Sequence, residues 1–132
     1  MIVTDTNTIV YFWLNGTYTK FAQNLLKVDS DWIAPFLWRS EFRNILAGYL
    51  RKELITLEIA NELILSAEEQ FKNKEYLVTS DLVLELVSSS NCSAYDCEYV
   101  AIAKEFNIHL ATSDKKILKE FPDIAIPLSD FK

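Results

Sequence analysis

Four carboxylates in this chain fall where they could hold a hard cation: Asp5, Glu41, Asp96 and Asp114. Oxygen ligands of this kind suit Mg²⁺ and Mn²⁺, and Mg²⁺ keeps several waters when only a few acids bind it. Such water has a lowered pKa and can attack a phosphodiester in line, while the cation offsets charge developing on the phosphoryl group. Two ions about 4 Å apart would stabilise both the attacking and the leaving oxygen, and the sequence leaves one ion and two equally open. No side-chain nucleophile stands beside a base, so activated water is the attacker that this residue set implies.

The elements that carry the four acids can be read from hydrophobic spacing. Asp96 and Asp114 come from the two halves of one helix-strand unit, Ser93 to Leu118. From Ala94 to Phe106 apolar residues recur at helical spacing, with Tyr99, Ala103 and Phe106 on one line. Asp96 sits in the first turn, where a carboxylate suits the helix dipole, and Asn107 ends the pattern. Ile108 to Ala111 reads as a short strand buried on both faces of a parallel sheet, with Thr112-Ser113-Asp114 just beyond its end. Ile2 and Val3 lead a similar strand that ends at Asp5, and Thr6-Asn7 turn the chain into a helix from Thr8 to Leu14. Ligands bind at that carboxyl edge in open α/β sheets. Glu41 lies in a long helix, Phe36 to Lys52, whose apolar stripe runs through Trp38, Phe42, Ile45, Leu46, Tyr49 and Leu50. It borders the stripe on a margin shared with Asn44 and Gly48, from which a polar group can point into a cleft while the helix stays packed.

The rest of the chain alternates between the two kinds of element. Thr17 is placed to cap a helix through Phe21, Leu25 and Val28, and Asp29 to Pro35 reads as turn, brief strand, turn. A helix from Thr56 to Lys74 would turn Ile59, Leu63 and Ala67 inward. Tyr76 to Thr79 is a third strand, Ser80 or Asp81 caps a helix through Val87, and Ile124 to Ile126 is a last strand. This order implies a three-layer α/β/α fold: a central, mostly parallel sheet of about five strands, joined by right-handed crossovers and flanked by helices.

With 132 residues, half of them apolar, the chain is expected to form a single domain burying about two thirds of its unfolded surface. Cys92 and Cys97 occur without a signal-type N-terminal run, which implies a cytoplasmic protein with reduced thiols. A structural zinc site needs about four Cys/His ligands, and these two cysteines with His109 fall short. His109, alternating into an apolar strand, reads as a hydrogen-bonded structural residue. No apolar run is long enough to span a bilayer. The net charge of −6 argues at face value against a nucleic-acid partner, but four carboxylates gathered at one cation site leave only −2 on the rest of the molecule.

Four motifs together resemble the PIN domains, and among them the VapC-type toxins of toxin-antitoxin pairs. They are Ile2-Val3-Thr4-Asp5-Thr6-Asn7, Glu41 in its helix, Ala94-Tyr95-Asp96 opening a helix, and Leu110-Ala111-Thr112-Ser113-Asp114. They occur in the family's order and span essentially all of residues 1–132. The resemblance implies a sheet with the first strand beside the fourth. It also implies that Asp5, Glu41, Asp96 and Asp114 ligate Mg²⁺ or Mn²⁺ directly or through water, supported by Asn7 and Thr112. The activity implied is an endoribonuclease, acting as a toxin that is held by a cognate antitoxin segment over the active-site groove and forms a homodimer. Aromatic residues in or beside the first and third helices, Tyr11, Phe12, Trp13, Trp32 and Trp38, suggest surface for such an interface. After the last motif this chain departs from many relatives. Two lysines and Ile117 follow Asp114 where a further acid or an Arg-Asn pair is common, which puts Lys115 and Lys116 where RNA phosphates would pass.

Other readings are weaker. A phosphohydrolase with an aspartyl nucleophile would carry Asp-x-Asp after its first strand, and position 7 is Asn7. A phosphorylated receiver domain would pair its acids early and set a third at the end of a central strand, which is not the arrangement here. A non-catalytic protein-binding module with the same fold, or an RNA-processing nuclease that is not a toxin, stays open.

Overall fold

In the computed structural model, which describes residues 1–132, five short strands form one sheet. They are β1 (Ile2–Thr4), β2 (Trp32–Pro35), β3 (Glu75–Tyr76), β4 (Leu110–Thr112) and β5 (Ala125–Pro127), in the order β3-β2-β1-β4-β5. Every ladder is parallel, with Val3 paired to Ile33 on one side and to Leu110 on the other. All residues of β1, β2 and β4 are buried, as apolar strands covered on both faces must be. Seven helices supply the cover: α1 (Thr6–Trp13), α2 (Thr19–Val28), α3 (Leu37–Arg51), α4 (Leu57–Gln70), α5 (Ser80–Ser88), α6 (Ala94–Phe106) and α7 (Lys115–Glu120). The helix α1 packs on α2, α3 and α4, while α6 packs on α5 and against β1 and β2. The result is the three-layer α/β/α fold, and none of its helices is long and apolar enough to cross a membrane.

The connections explain where a site must form. From β1 the chain steps outward to β2 and β3, then α5 and α6 carry it back across to β4 on the far side of β1. Right-handed crossovers in opposite directions place their helices on opposite faces and open a crevice between β1 and β4 at the carboxyl edge. Asp5 leaves β1 and Asp114 follows β4 at this crevice.

Local chemistry set several boundaries as the sequence suggests. Ser93 accepts the Asp96 N–H at 3.0 Å and caps α6, and Asn107 closes it in the left-handed region at φ 54°. Other boundaries moved for identifiable reasons. The helix expected from Thr8 begins at Thr6, because the Asp5 carboxylate caps it by accepting the Thr8 N–H. Thr17 caps nothing; α2 starts at Thr19, whose hydroxyl instead accepts from the Gly16 N–H and donates to the Leu14 carbonyl. The Thr56 cap holds, but α4 ends at Gln70, and Asn73 at φ 63° turns the chain into β3. Its inner line is Ala60 and Ala67 continued by Phe71, whereas Ile59 is exposed. The edge strand β3 pairs only with Ala34 and Pro35 of β2, so it stops at Tyr76, short of the expected Thr79. His109 lies before β4, exposed and without a side-chain hydrogen bond, so the structural role expected for it is not found. Trp32 and Trp38 are core residues and offer no interface surface. Both cysteines are free and buried, and burial pushes the Cys92 thiol up to about 11.

Candidate active site

Asp5, Glu41, Asp96 and Asp114 all line one open cavity of about 380 Å³ above the crevice between β1 and β4. Asn7, Ser40, Asn44 and Tyr95 share its wall. Each acid reaches the cavity from a different element, so the cluster exists only in the folded chain.

Asp5 is the deepest of the four. One carboxylate oxygen accepts from the Thr8 N–H at 3.0 Å and the Thr8 hydroxyl at 2.8 Å, and the other accepts from the Thr112 hydroxyl. Burial raises its pKa above the ordinary 3.8, these hydrogen bonds pull the other way, and the charge of Asp114 adds to the rise. Thr112 joins the two strand ends: while donating to Asp5 it accepts the Asp114 N–H at 3.0 Å. Asp114 in turn caps α7, accepting the N–H groups of Lys116 at 2.9 Å and Ile117 at 3.0 Å. Asp96 sits in the first turn of α6, its pKa raised first by burial and then by the charges of Asp114 and Glu41.

Glu41 is held by two hydroxyls. The same oxygen accepts from Tyr99 at 2.6 Å and from Thr6 at 2.9 Å, and the two hydroxyls are 2.5 Å apart. Burial, reinforced by the Glu41 charge, drives the Tyr99 phenol far above its ordinary pKa, so it stays protonated and serves as a donor. None of the four acids is ion-paired with a lysine, arginine or the N-terminus. As the side chains stand, no three of them close on one point tightly enough to grip an ion. Asp5, Glu41 and Asp114 are each turned to their own hydrogen bonds, and all four acids line the same open space.

The model of the PIN domain family matches residues 2–124. This chain belongs to the PIN domain family. Its members are commonly metal-dependent nucleases. Two solved structures share the fold at a TM-score of 0.74 and 19% identity. The crystal structure of PAE2754 from Pyrobaculum aerophilum aligns over 98% of this chain and 91% of its own. That of FitAcB from Neisseria gonorrhoeae aligns over 96% of each. No curated protein sequence matches the chain.

The four acids named from sequence thus line one cavity, and the residues that hydrogen-bond to them are not all those expected. Thr112 donates to Asp5, whereas Asn7 lines the cavity without a hydrogen bond to any of the acids. Lys115 and Lys116 are exposed on α7, outside the cavity wall. Thr6 and Tyr99 were not anticipated. A signal for Tyr99 was present, since three residues after Asp96 is the same helix face and its hydroxyl can reach the same cavity. Glu98 is a further acid near the group, raised first by burial and then by Glu41.

Proposed function

We propose that this PIN domain, residues 1–132, is a Mg²⁺- or Mn²⁺-dependent endoribonuclease. The supporting observation is the gathering of Asp5, Glu41, Asp96 and Asp114 at the sheet's switch point with no cation of the protein's own to balance them. A donor set made only of carboxylate oxygens and flanked by hydroxyls fits a hard divalent cation. Such a cation, when bound, lowers the pKa of a water and offsets negative charge on the phosphoryl group. The chain's own part is to orient. Thr112 fixes Asp5 relative to Asp114, and Tyr99 with Thr6 fixes the rotamer of Glu41, so that the carboxylates hold their directions before substrate arrives. Because burial favours the protonated forms of Asp5 and Asp96, cation binding must displace protons from these groups at low pH. Lys115 and Lys116, exposed beside Asp114, meet RNA phosphates.

Purified protein incubated with RNA tests this reading. Cleavage should require Mg²⁺ or Mn²⁺ and disappear with EDTA. Cleavage that survives EDTA, or persists unchanged in both Asp5→Asn and Asp96→Asn, would remove the mechanism.

The VapC resemblance extends the reading to a cytoplasmic toxin neutralised by an antitoxin segment. An apolar groove of about 350 Å³ shares Tyr95 with the acidic cavity and is lined by Phe36, Leu77 and Leu84, with Glu98 at its margin. Such a groove suits an apolar segment, and the acids beyond it suit a basic side chain. Exposed Leu54, Leu57 and Leu65 on and before α4 supply apolar surface for a homodimer. A neighbouring reading frame for a short DNA-binding protein that suppresses the nuclease when mixed with it supports the toxin. A partner that leaves cleavage untouched counts against inhibition at the groove, and a monomeric mass across micromolar concentrations counts against the dimer.

A further inference from the structure

We propose that Glu120 is a positioning residue of the candidate cation site: through Asn91 it fixes where the first turn of α6, and so Asp96, stands relative to Asp114. The inference rests on the cation reading of the cavity and adds to it a residue outside the cavity wall. Asp5 and Asp114 are joined by Thr112, and the Tyr99 hydroxyl ties α6 to Glu41 and Thr6. Neither link runs from α6 to α7. The helix α6 packs on α5 and the sheet, whereas α7, of 6 residues, packs chiefly on β5. The direct tie between them is Glu120, the one residue of α7 whose side chain hydrogen-bonds outside its own helix.

One Glu120 oxygen, Oε1, accepts from the Asn91 side-chain amide at 2.9 Å and from the Asn91 backbone N–H at 3.3 Å. Asn91 ends the polar run Ser88-Ser89-Ser90-Asn91, and each member of that run has a partner. The Ser88 hydroxyl donates to the Glu85 carbonyl at 2.7 Å, and those of Ser89 and Ser90 donate to the Leu86 carbonyl at 3.3 Å and 2.8 Å, so one end of the loop is fastened to α5. Asn91 fastens the other end to α7. Buried Cys92 and the Ser93 cap follow at once, and Asp96 lies in the turn that Ser93 starts. Asp114 caps the opposite end of α7 from Glu120. A shift of α7 against this loop therefore changes the separation of the two carboxylates, and two donors on one charged oxygen resist that shift.

The probe is Mn²⁺ alone, its dissociation constant measured by calorimetry on the full chain, with thermal melts in EDTA beside it. Partners that hold a metal ligand from outside contribute about ten- to a hundredfold in affinity, and Glu120 acts through a longer path, so Glu120→Ala should weaken Mn²⁺ binding roughly fivefold. Asn91→Ala, which keeps the backbone N–H, should weaken it less, and the double variant no more than Glu120→Ala does. Glu120→Gln keeps the accepting oxygen and discards the charge, so it should bind Mn²⁺ as the parent does. In EDTA all four variants should melt within about 3 °C of the parent, because an exposed contact holds little of the fold's stability. Binding by Glu120→Gln as weak as that by Glu120→Ala would make the lost charge the cause and overturn the clamp. An unchanged dissociation constant in Glu120→Ala also overturns it and leaves the cation reading standing. If Glu120→Ala melts well below the parent, Asn91→Ala decides: Mn²⁺ binding equal to the parent's makes the contact purely structural. A parent that binds no Mn²⁺ removes the cation reading and this inference together.

Discussion

The two edges of the sheet both carry carboxylates, but they treat them differently. At the amino edge, Asp29 accepts from the N-terminal ammonium at 3.0 Å, and Asp31 pairs with Lys74 at 2.5 Å just before β3. Charges there are balanced within the chain. At the carboxyl edge Asp5, Glu41 and Asp114 accept only from N–H groups and hydroxyls, Asp96 has no ion pair either, and Asp5 and Asp96 have raised pKa values. An edge that serves only the fold can neutralise its acids locally. On the proposed function the carboxyl edge receives a cation, and leaving its acids unneutralised would cost stability until the cation arrives.

The contrast should show most strongly in activity. Asp5→Asn and Asp96→Asn are each expected to lower RNA cleavage by at least about a hundredfold, since each removes a preorganised charge from the site. Asp31→Asn, at the other edge, should leave the cleavage rate unchanged. A loss with Asp31→Asn as large as that with Asp96→Asn would end the distinction between the edges.

Cation linkage should come next in size. Excess Mn²⁺ at about a hundred times its dissociation constant would stabilise the folded state by about 2.7 kcal/mol, or roughly 10 °C in melting temperature for a chain of this length. Asp114→Asn should lose most of that shift, and Glu69→Gln, on the exposed face of α4, should keep it. Equal shifts in all three proteins would place the cation elsewhere.

The pH dependence sharpens the same comparison. A carboxyl whose folded pKa is raised contributes stability that is fully present below its unfolded value of 3.8 and lost as the pH rises through the folded value. In EDTA, Asp5→Asn should therefore melt above the parent at neutral pH, by a margin that closes as the pH falls toward 3.8. A margin independent of pH would mean that its origin is not the buried charge.

Tyr99→Phe tests how Glu41 is held. Removing a donor to a charged acceptor while keeping the ring should cost about tenfold in cleavage rate and leave the Thr6 hydrogen bond as the remaining restraint. The smallest effect belongs to the amino edge: Lys74→Met should shift the melting temperature by at most about 3 °C, because exposed ion pairs contribute little. Larger destabilisation would show that this edge depends on its pairing more than its exposure implies.

Residues whose roles depend on near neighbours were legible before folding. The ends of α6 follow from Ser93 and Asn107, because a cap needs only backbone within a few residues. Asp5 and Asp114 were legible because each lies within three residues of the end of a short apolar segment, and parallel order puts all strand ends of one kind on one edge. The alternation that makes the fold α/β/α was apparent too, while the four acids were joined as one set by the family resemblance. Tertiary structure decided what supports the set. Tyr99 reads as one more ring on an apolar helix line, yet its hydroxyl meets Glu41 and Thr6 from 58 and 93 residues away. Packing also chose Ala60 over Ile59 for the inside of α4, and β2 fixed where β3 ends. These outcomes depend on which surfaces approach from elsewhere in the chain, and hydrophobic spacing reports a face without naming what it will meet.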